Sequence, residues 1–336
     1  MAFHHDGSPN EFKLANPPLD CIQSVKFGQV DNQHLLAASW DCSVRLYDIK
    51  SNELRVQYNH EAPVLDATFQ GNNTCWSGGV DRKVKHFDFQ SQTESVIGFH
   101  SDAIRCVQFV PDVNIVATGA WDSHLKLWDP RLSGSVRSII ADHPTSAKVY
   151  TMAVCGHKII LGLAGRRIQI WDLRNMSNSQ KESLLKYQTR CVEAFADQTG
   201  YVVSSIEGRI AVEYLDPSPE VQKLRYAFKC HRNKDPSTGL EIIYPVNALN
   251  FHRKYNTFAT GGSDGHVSIW DWKNKKRIIQ FHKYPTSISS LSFSPDGSNL
   301  AIACSYLHAS EDSPRDIPPD AIFIRKIADH EVRPRG

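Results

Sequence analysis

Short segments in which apolar and polar residues alternate recur along the chain, and most end in an aromatic residue followed by Asp. Strict alternation over five residues predicts a half-buried β-strand rather than a helix. The first four copies begin about 40 residues apart, so the chain is built from repeats. The clear copies are Val44–Asp48, Val84–Asp88, Leu125–Asp129, Ile168–Asp172 and Val267–Asp271, and a weaker one is Ile210–Tyr214.

Each of these strands is the last part of a longer repeated unit. A tight-turn sequence such as Gly119–Asp122 precedes it, and two further apolar strands, such as Ile104–Phe109 and Ile115–Thr118, come before that turn. Three strands joined by tight turns at a period of about 40 residues are typical of a WD40 propeller blade. Six such blades begin near Ile22, Val64, Ile104, Val149, Thr189 and Val246.

A seventh blade begins at Ile288 and ends at Ala321–Arg325, and it lacks an outer strand at the C-terminus. The N-terminal strand Glu11–Leu14 can supply it and pair the edges that an open ring would expose. We therefore predict an all-β, seven-bladed WD40 β-propeller closed by the N-terminal strand. The propeller spans residues 10–328, residues 1–9 form a disordered N-terminal tail, and residues 329–336 form a C-terminal tail.

Two insertions interrupt this repeat, and both are rich in turn-forming residues. Lys229–Ile243 precedes the sixth blade, and Tyr306–Asp320 interrupts the seventh. Pro, Asp and Ser in these segments predict long surface loops. We expect almost no helix anywhere in the chain.

Composition limits the cellular compartments and the functions that we expect for this protein. The net charge is +2, which argues against a general nucleic-acid coat, although a local basic patch remains possible. The eight cysteines are scattered and form no Cys-x-x-Cys pair, so we expect reduced, mostly buried thiols in a reducing compartment. Neither a signal peptide nor an apolar run long enough to cross a bilayer is recognisable. We expect a cytosolic or nuclear protein.

Sets of Ser or Thr, His and Asp occur at equivalent positions of successive blades, and a nucleophilic triad is one possible interpretation. An enzyme needs one such set, whereas here the sets repeat, so we predict structural hydrogen-bond networks. In each, the turn Asp accepts from His, and the hydroxyl links His to a Trp indole. Gly165 and Glu207 replace the Asp in the fourth and fifth blades, which should lack the full network. The network residues are His60, Ser77, Asp81, His100, Thr118, Asp122 and Trp128.

No catalytic motif accompanies these networks. The chain contains no Walker A loop, no Gly-x-Ser-x-Gly elbow and no His-Glu-x-x-His pair. We therefore predict a protein that is not an enzyme and that has no catalytic residues, no metal site and no cofactor.

Loops and turns on one face of the propeller are the candidate binding surface, because the strands are consumed by the ring. One residue opens each innermost strand at the mouth of the central channel, namely Gln23, Leu65, Arg105, Tyr150, Arg190, Asn247 and Ser289. Turn residues of the same face are Trp40, Trp121, Arg166, Arg167 and Arg209. Trp and Arg are enriched among interface hot spots, although these two tryptophans could simply pack on neighbouring blades.

Arginines are concentrated in the fourth and fifth blades. We expect Arg166, Arg167, Arg190 and Arg209 to cluster there, with Lys186 and Tyr187 nearby. Planar guanidinium groups bind carboxylate and phosphate through paired hydrogen bonds, so the cluster would suit a phosphorylated or acidic peptide. Solvated surface charge is the alternative interpretation.

Particular sequence strings resemble one family of WD-repeat propellers, the spindle-assembly-checkpoint proteins of the Bub group (budding uninhibited by benzimidazoles). The resemblance extends from about residue 10 to about residue 327. It is carried by Asn10–Leu14, Ser39–Asp41, Val44–Asp48, Ala164–Arg167, Trp171–Met176, Lys186–Cys191, Ser204–Arg209, Glu213–Pro219 and Tyr226–Arg232.

The resemblance implies a kinetochore adaptor. Such proteins bind the acidic GLEBS motif of checkpoint kinases and pseudokinases, and they read phosphorylated Met-Glu-Leu-Thr repeats of a kinetochore scaffold protein. The family's phosphothreonine-reading arginines fall on Arg190 and Arg209, and its partner-binding Trp falls on Trp40. We also expect partner contacts at Trp121, Tyr150, Arg166, Arg167 and Arg105, in a monomer found in the nucleus, at mitotic kinetochores and in the cytoplasm.

Two other functions compete with this one. A sister propeller exports messenger RNA and binds the GLEBS motif of a nucleoporin, and it shares several of the same strings. The Asn10–Leu14 start and the Ser39–Asp41 turn favour the checkpoint protein. A hydrolase would need a single, unrepeated cluster of acids, His or metal ligands at the channel mouth, and the residues there do not provide one.

Overall fold

The computed structural model describes residues 10–132, 138–307 and 316–334, so the predicted tail at residues 1–9 lies outside the described residues. Within the described part, seven antiparallel four-stranded sheets are present, and we number these blades by the order of their innermost strands. Blades 1 to 3 contain β2 (Ile22–Phe27), β3 (His34–Ser39), β4 (Ser43–Asp48), β5 (Glu53–Asn59), β6 (Val64–Gln70), β7 (Thr74–Gly79), β8 (Lys83–Asp88), β9 (Thr93–Phe99), β10 (Ile104–Val110), β11 (Ile115–Ala120), β12 (His124–Trp128) and β13 (Ile139–Pro144).

The remaining blades repeat this meander from the inner to the outer strand. Blades 4 to 6 contain β14 (Val149–Cys155), β15 (Lys158–Leu163), β16 (Arg167–Asp172), β17 (Ser177–Glu182), β18 (Thr189–Ala194), β19 (Gly200–Ser205), β20 (Arg209–Tyr214), β21 (Tyr226–Lys229), β24 (Val246–His252), β25 (Thr257–Gly262), β26 (Val267–Asp271) and β27 (Lys276–Gln280). Blade 7 contains β28 (Ile288–Phe293), β29 (Asn299–Cys304) and β30 (Ala321–Lys326) with the N-terminal strand β1 (Glu11–Lys13).

The N-terminal strand closes the ring, as predicted. Strand β1 pairs with β30 in antiparallel register, with Phe12 opposite Ile324. Leu14, which directly follows β1, is 1% exposed and packs with residues of blades 7 and 1. The last sheet is therefore completed by the first segment of the chain, and the outer edge of β30 is paired.

Hydrophobic packing joins each blade to the next. The buried residues form seven clusters, and each lies between two neighbouring blades, including the cluster between blades 7 and 1. Small residues in the second strands permit this close approach. A Cβ added at Gly119 would lie 2.7 Å from Val149, and one at Gly261 would lie 2.4 Å from Ile288. The ring is thus packed along its whole circumference and forms a rigid support for its loops.

The structure corrects two sequence predictions, one for the loop before blade 6 and one for the C-terminal segment. The predicted loop Lys229–Ile243 contains a two-stranded hairpin, β22 (Arg232–Lys234) paired with β23 (Glu241–Ile243). The predicted C-terminal tail begins with a helix, α2 (Asp329–Val332), whose last residue Val332 is 1% exposed, so the folded domain extends beyond residue 328. The only other α-helix in the described residues is α1 (Pro219–Gln222), and three single-turn 3₁₀ helices lie at Pro111–Val113, Pro130–Leu132 and Ala164–Arg166.

Candidate functional site

One face of the ring carries the residues that the sequence singles out. In every blade the innermost strand begins, and the second strand ends, at the same edge of the sheet, because the strands are antiparallel. We call the face formed by these edges the upper face. The loops between blades and the turns between second and third strands therefore lie together on it.

A β-bulge recurs at the start of all seven innermost strands. In each, the pairing register shifts around one residue, such as Arg105 between Ile104 and Cys106. A bulge leaves that residue unpaired and redirects its side chain. The bulged residues are Gln23, Leu65, Arg105, Tyr150, Arg190, Asn247 and Ser289, the positions predicted at the channel mouth. All of them except Leu65, which is 2% exposed, line a central channel of about 760 Å³.

The two turn tryptophans differ in exposure and contacts. Trp40 is 43% exposed, and its indole Nε1 donates to Oε1 of the channel residue Gln23 at 3.1 Å. Trp121 is half-buried, the ammonium of Lys148 lies 5.9 Å from its ring centre, and its Nε1 is buried without a hydrogen-bond partner. Trp40 therefore exposes an apolar surface to solvent, and one hydrogen bond holds its ring in place. Lys148 is a contact that the sequence analysis missed.

The arginines of blade 4 have intramolecular partners. Arg166 pairs with the carboxylate of Glu182 and donates to the backbone oxygen of Leu185 at 3.3 Å. Arg167 donates to the backbone oxygen of Ser146 at 2.8 Å. The structure thus places both on the upper face, where Arg166 is already neutralised by an acid.

Arg190 and Arg209 belong to the same blade. Arg190 is the bulged residue of β18, and Arg209 begins β20, at the same edge of the sheet. Strand β19 separates them, and strands two positions apart are roughly 10 Å apart. Arg209 lies 3.7 Å from the carboxylate of Glu207, a distance at which the charges interact without a direct hydrogen bond. Both residues therefore lie at the edge of blade 5 that belongs to the upper face, and the Arg190 side chain lines the channel there.

Exposed apolar side chains occur three residues before each of these arginines. Tyr187 is 56% exposed and Ile206 is 37% exposed, and the backbone N–H of Ile206 donates to Gln188 O at 3.1 Å. The hairpin β22–β23 also reaches this turn, because Arg232 donates to the backbone oxygen of Glu207 at 2.7 Å. This part of the upper face has both cationic and apolar side chains, a combination that suits a peptide with anionic and apolar side chains.

Below its mouth the channel carries paired and unpaired charges. Lys26 Nζ lies 2.8 Å from a carboxylate oxygen of Asp66 and also donates to the backbone oxygen of Val107. Burial raises the pKa of Glu193 to about 7, although the positive charges of Lys26 and Arg253 oppose that shift. These channel charges were not anticipated from the sequence, because no local motif marks them.

The hydrogen-bond network of blade 3 has the predicted connections. His100 Nδ1 lies 2.9 Å from Asp122 Oδ2, and His100 Nε2 lies 2.7 Å from Thr118 Oγ1. Trp128 Nε1 donates to the same hydroxyl oxygen at 2.8 Å. Burial lowers the pKa of His100, so the ring is neutral, donates to Asp122 and accepts from the hydroxyl.

The corresponding network of blade 2 ends in a different group. His60 lies 2.8 Å from both Asp81 Oδ2 and Ser77 Oγ, as in blade 3. Instead of a Trp, the hydroxyl of Tyr58 donates to Ser77 Oγ at 2.8 Å. Burial raises the pKa of Asp81, but hydrogen bonds, above all the one from His60, hold the pKa below the usual range.

A third network in blade 6 escaped the sequence analysis. His231 lies 2.9 Å from Asp264 and 2.7 Å from Thr260 Oγ1, and Trp270 Nε1 donates to that hydroxyl at 3.0 Å. Because the hairpin β22–β23 is inserted between them, His231 precedes Asp264 by 33 residues, whereas His and Asp are 21 or 22 residues apart in blades 2 and 3. The turn that contains Asp264 and the position of Trp270 in the repeat could have indicated this network from the sequence.

Blade 4 shows what happens when the hydroxyl is missing. Leu161 occupies the position of Thr118, and both His143 Nε2 and Trp171 Nε1 are buried without a hydrogen-bond partner. Thr145 stands where blades 2 and 3 have His60 and His100, so this blade lacks the network His as well as the hydroxyl and the turn Asp. The repeated sets fix turns of the upper face, and among the described residues no group of three or more His, Cys, Asp and Glu side chains could hold a metal ion. None of the helices in the described part could span a membrane.

Comparison with known proteins agrees with this fold. Segments 20–48, 91–129, 242–271 and 273–312 match the family "WD domain, G-beta repeat". The solved structure titled "Structure of U3-55K" has a TM-score of 0.81 at 15% identity and covers 94% of this chain and 98% of its own. At that identity the likeness shows the propeller fold alone.

Relatives that match along nearly their whole length identify the family more specifically. A protein of Arabidopsis thaliana named "Mitotic checkpoint protein BUB3.1" is 46% identical, covering 96% of this chain and 94% of the relative. One of Caenorhabditis elegans named "Mitotic checkpoint protein bub-3" is also 46% identical, covering 98% and 97%. A "Poly(A)+ RNA export protein" of Schizosaccharomyces pombe is 32% identical, covering 97% and 93%. With its seven blades and this identity to checkpoint proteins along nearly its whole length, the chain belongs to the Bub3 family of WD40-repeat mitotic checkpoint proteins.

Proposed function

We propose that this protein is a spindle-assembly-checkpoint adaptor whose upper face binds two kinds of protein segment. One is the acidic GLEBS motif of checkpoint kinases and pseudokinases, and the other is the phosphorylated Met-Glu-Leu-Thr repeat of a kinetochore scaffold. By holding both, the adaptor recruits the kinases to unattached kinetochores. The observation that carries this proposal is the upper face itself, where exposed Trp40 and the arginines of blade 5 project from one rigid ring.

Arg190 and Arg209 are proposed to bind the phosphothreonine. Hydrogen bonds from Arg to phosphate are charge-assisted and can be bidentate, so the pair would bind a phosphorylated threonine much better than a neutral one. Tyr187 and Ile206 are exposed, each three residues before one of these arginines, and they would contact the Met and Leu of the same repeat. Charged and apolar contacts together would thus recognise the phosphorylated Met-Glu-Leu-Thr repeat.

Trp40 is proposed to anchor the GLEBS segment, with partner contacts also at Trp121, Tyr150, Arg105, Arg166 and Arg167. An aromatic ring held at the edge of a pocket contributes large contact area at low entropic cost. The hydrogen bond to Gln23 already fixes the Trp40 ring, so little further ordering is needed on binding. An acidic segment would then extend toward the arginines.

The adaptor is proposed to act by binding alone, without catalysis or a cofactor. It would function as a monomer in the nucleus, at mitotic kinetochores and in the cytoplasm, and it would not contact nucleic acid directly. The competing function is export of messenger RNA through a nucleoporin GLEBS motif. The Schizosaccharomyces pombe "Spindle assembly checkpoint protein bub3" is 34% identical and the RNA export protein of that yeast 32%, so the preference rests on the 44–46% identity of the other checkpoint relatives.

Titration with phosphorylated and unphosphorylated Met-Glu-Leu-Thr peptides tests the phosphothreonine site. We expect the phosphorylated peptide to bind more tightly, and Arg190→Ala and Arg209→Ala each to weaken it about tenfold or more, because each removes a charge-assisted contact of about 1.5–3 kcal/mol. Arg82→Ala removes the same charge from an exposed upper-face turn of blade 2 and should leave the affinity unchanged. Equal affinity for the two peptides, or wild-type binding by Arg190→Ala, would refute the assignment.

A further inference from the structure

The turn that carries Trp40 in blade 1 lacks the hydrogen-bond network of blades 2, 3 and 6. In blades 2 and 3 the network His stands four residues before the innermost strand, where blade 1 has Pro18. Ala37 occupies the position of the network hydroxyl in the second strand. Asp41 nevertheless follows Trp40 in the turn, and its side chain is 11% exposed. Its carboxylate therefore needs a partner other than His.

Arg45 is the partner of this carboxylate. Arg45 Nη2 donates to Asp41 Oδ2 at 2.9 Å, and Arg45 Nε donates to Ser43 Oγ at 3.0 Å. Arg45 is 7% exposed, so this ion pair lies largely out of water. Charge-assisted hydrogen bonds are roughly twice as strong as neutral ones, and salt screens a buried pair little. In blade 1 a guanidinium therefore holds the turn that an imidazole holds in blades 2 and 3.

The same guanidinium binds the segment that closes the ring. We call residues 15–19, which follow β1 and lead the chain from blade 7 to blade 1, the crossing segment. Arg45 Nη1 donates to the backbone oxygens of Asn16 and Pro17 at 2.9 and 2.7 Å. The backbone N–H of Leu19 donates at 3.0 Å to the carboxylate oxygen that Arg45 also binds. Both members of the ion pair thus hold the crossing segment.

The equivalent residues of blades 2 and 3 make only part of these contacts. Lys85 and Lys126 stand four residues after the turn Asp, as Arg45 does, and each ammonium donates to a backbone oxygen of the preceding outer strand. Their ion pairs are with acids of the fourth strand, and His60 or His100 binds the turn Asp instead. Because a guanidinium has five donors in a planar fork, one side chain of blade 1 replaces two.

We propose that Arg45 is a positioning residue for Trp40, because it joins the crossing segment to the turn and so makes the orientation of the exposed indole depend on ring closure. The other contacts of Trp40 also lie directly after the crossing segment, since its backbone N–H donates to the oxygen of Cys21 at 2.9 Å and its indole to Gln23. Arg45 is buried and acts through Trp40. The inference rests on the proposed function in that Trp40 anchors the GLEBS segment.

Fluorine NMR of the full-length protein labelled with fluorotryptophan tests the positioning role without a ligand. The chain has seven Trp, and the resonance that Trp40→Phe removes is that of Trp40. Arg45→Met keeps the length of the side chain but removes its donors, so it should shift and broaden this resonance, and Arg45→Lys should restore part of the wild-type signal. Lys85→Met is the matched control and should leave the Trp40 resonance unchanged, because His60 still holds the turn of blade 2.

A milder variant covers the case in which Arg45→Met does not fold. Tyr47→Phe removes only the hydroxyl that donates to the backbone oxygen of Asn16 at 2.8 Å, and it leaves the ion pair intact. It loosens the crossing segment alone, so it should move the Trp40 resonance in the same direction by a smaller amount. A Trp40 resonance that stays at its wild-type position in folded Arg45→Met, or in Tyr47→Phe where only that variant folds, refutes the positioning role.

Titration with a synthetic GLEBS peptide of a checkpoint kinase then measures the effect on binding. Arg45→Met should weaken the peptide about three- to tenfold, the effect of ordering one further side chain at an interface. Because Arg45 acts through Trp40, adding Arg45→Met to Trp40→Ala should cause no further loss. Independent losses that add in the double variant would contradict this coupling.

The two experiments separate this inference from the proposed function. If Arg45→Met moves the Trp40 resonance but neither Arg45→Met nor Trp40→Ala weakens the peptide, the positioning role stands and the assignment of Trp40 to the GLEBS segment fails. If Trp40→Ala weakens the peptide while Arg45→Met leaves both the resonance and the affinity at their wild-type values, the positioning role is refuted and the proposed function stands.

Discussion

At the scale of single residues, one hydroxyl holds together two elements of blade 3. Thr118 accepts from the Trp128 indole and donates to His100, which in turn donates to Asp122 in the turn of the upper face. These hydrogen bonds connect the end of the outer strand of blade 2 with the second and third strands of blade 3. Similar hydrogen bonds recur around His60 and His231, so these residues stabilise the turns of the upper face.

Thr118→Val tests this role, because it keeps the shape of the side chain and removes the hydroxyl. Trp128 Nε1 and His100 Nε2 would both lose their partner while buried, so we expect unfolding by urea to show a loss of about 2–4 kcal/mol. Thr189→Val is the matched control, since Thr189 is 2% exposed and its hydroxyl has no hydrogen-bond partner. That variant should be neutral or slightly stabilising, and equal losses in the two variants would contradict the account.

Residue chemistry also sets the limit of what the sequence could predict about the site. Arg105 and Arg190 were expected at the channel mouth from their place in the repeat, and the bulges put them there. Their lack of acidic partners, and the pairing of Arg166 with Glu182, depend on side chains from other strands and loops. No spacing in the sequence encodes those contacts. Of the four arginines predicted to cluster, Arg166 and Arg209 have acidic neighbours, whereas Arg167 and Arg190 form no ion pair within the described residues.

At the scale of elements, alternation and turn signals were sufficient for the blades but not for the insertions. The seven innermost strands begin where the apolar pattern begins, and β1 completes blade 7 as expected. The hairpin β22–β23 was missed because its strands have three residues each, too few to show a period around Asp235 and Pro236. Helix α2 was missed for the same reason, since four residues make only one turn.

The N-terminal segment offers an element-scale prediction about ring closure. Leu14 is 1% exposed between blades 7 and 1, so Leu14→Ala would leave a cavity there and lower the free energy of unfolding by about 2–4 kcal/mol. Leu19→Ala, five residues further on, changes a side chain that is 88% exposed and should shift stability by less than about 0.5 kcal/mol. Thermal and urea unfolding measure both, and a Leu14→Ala variant as stable as wild type would mean that this segment does not close the ring.

At the scale of the whole molecule, the residues that stabilise the ring differ from those that are available for binding. The seven inter-blade clusters and the three His networks hold the sheets, while side chains at bulges and turns of the upper face remain available. A net charge of +2 conceals this arrangement, because 36 acidic residues balance 38 Lys and Arg over the whole chain. The number of blades followed from sequence, whereas the distribution of charge on the face required the fold.

Affinity purification from mitotic cells tests the central claim, that the upper face of this ring binds checkpoint kinases. Wild-type protein and Val30→Ala should recover them, since Val30 is 70% exposed on the opposite face of blade 1. Trp40→Ala should lose most of them, because it removes the exposed anchor on the upper face of that blade. Undiminished kinases with Trp40→Ala, or nucleoporins in place of kinases with the wild type, would contradict the account.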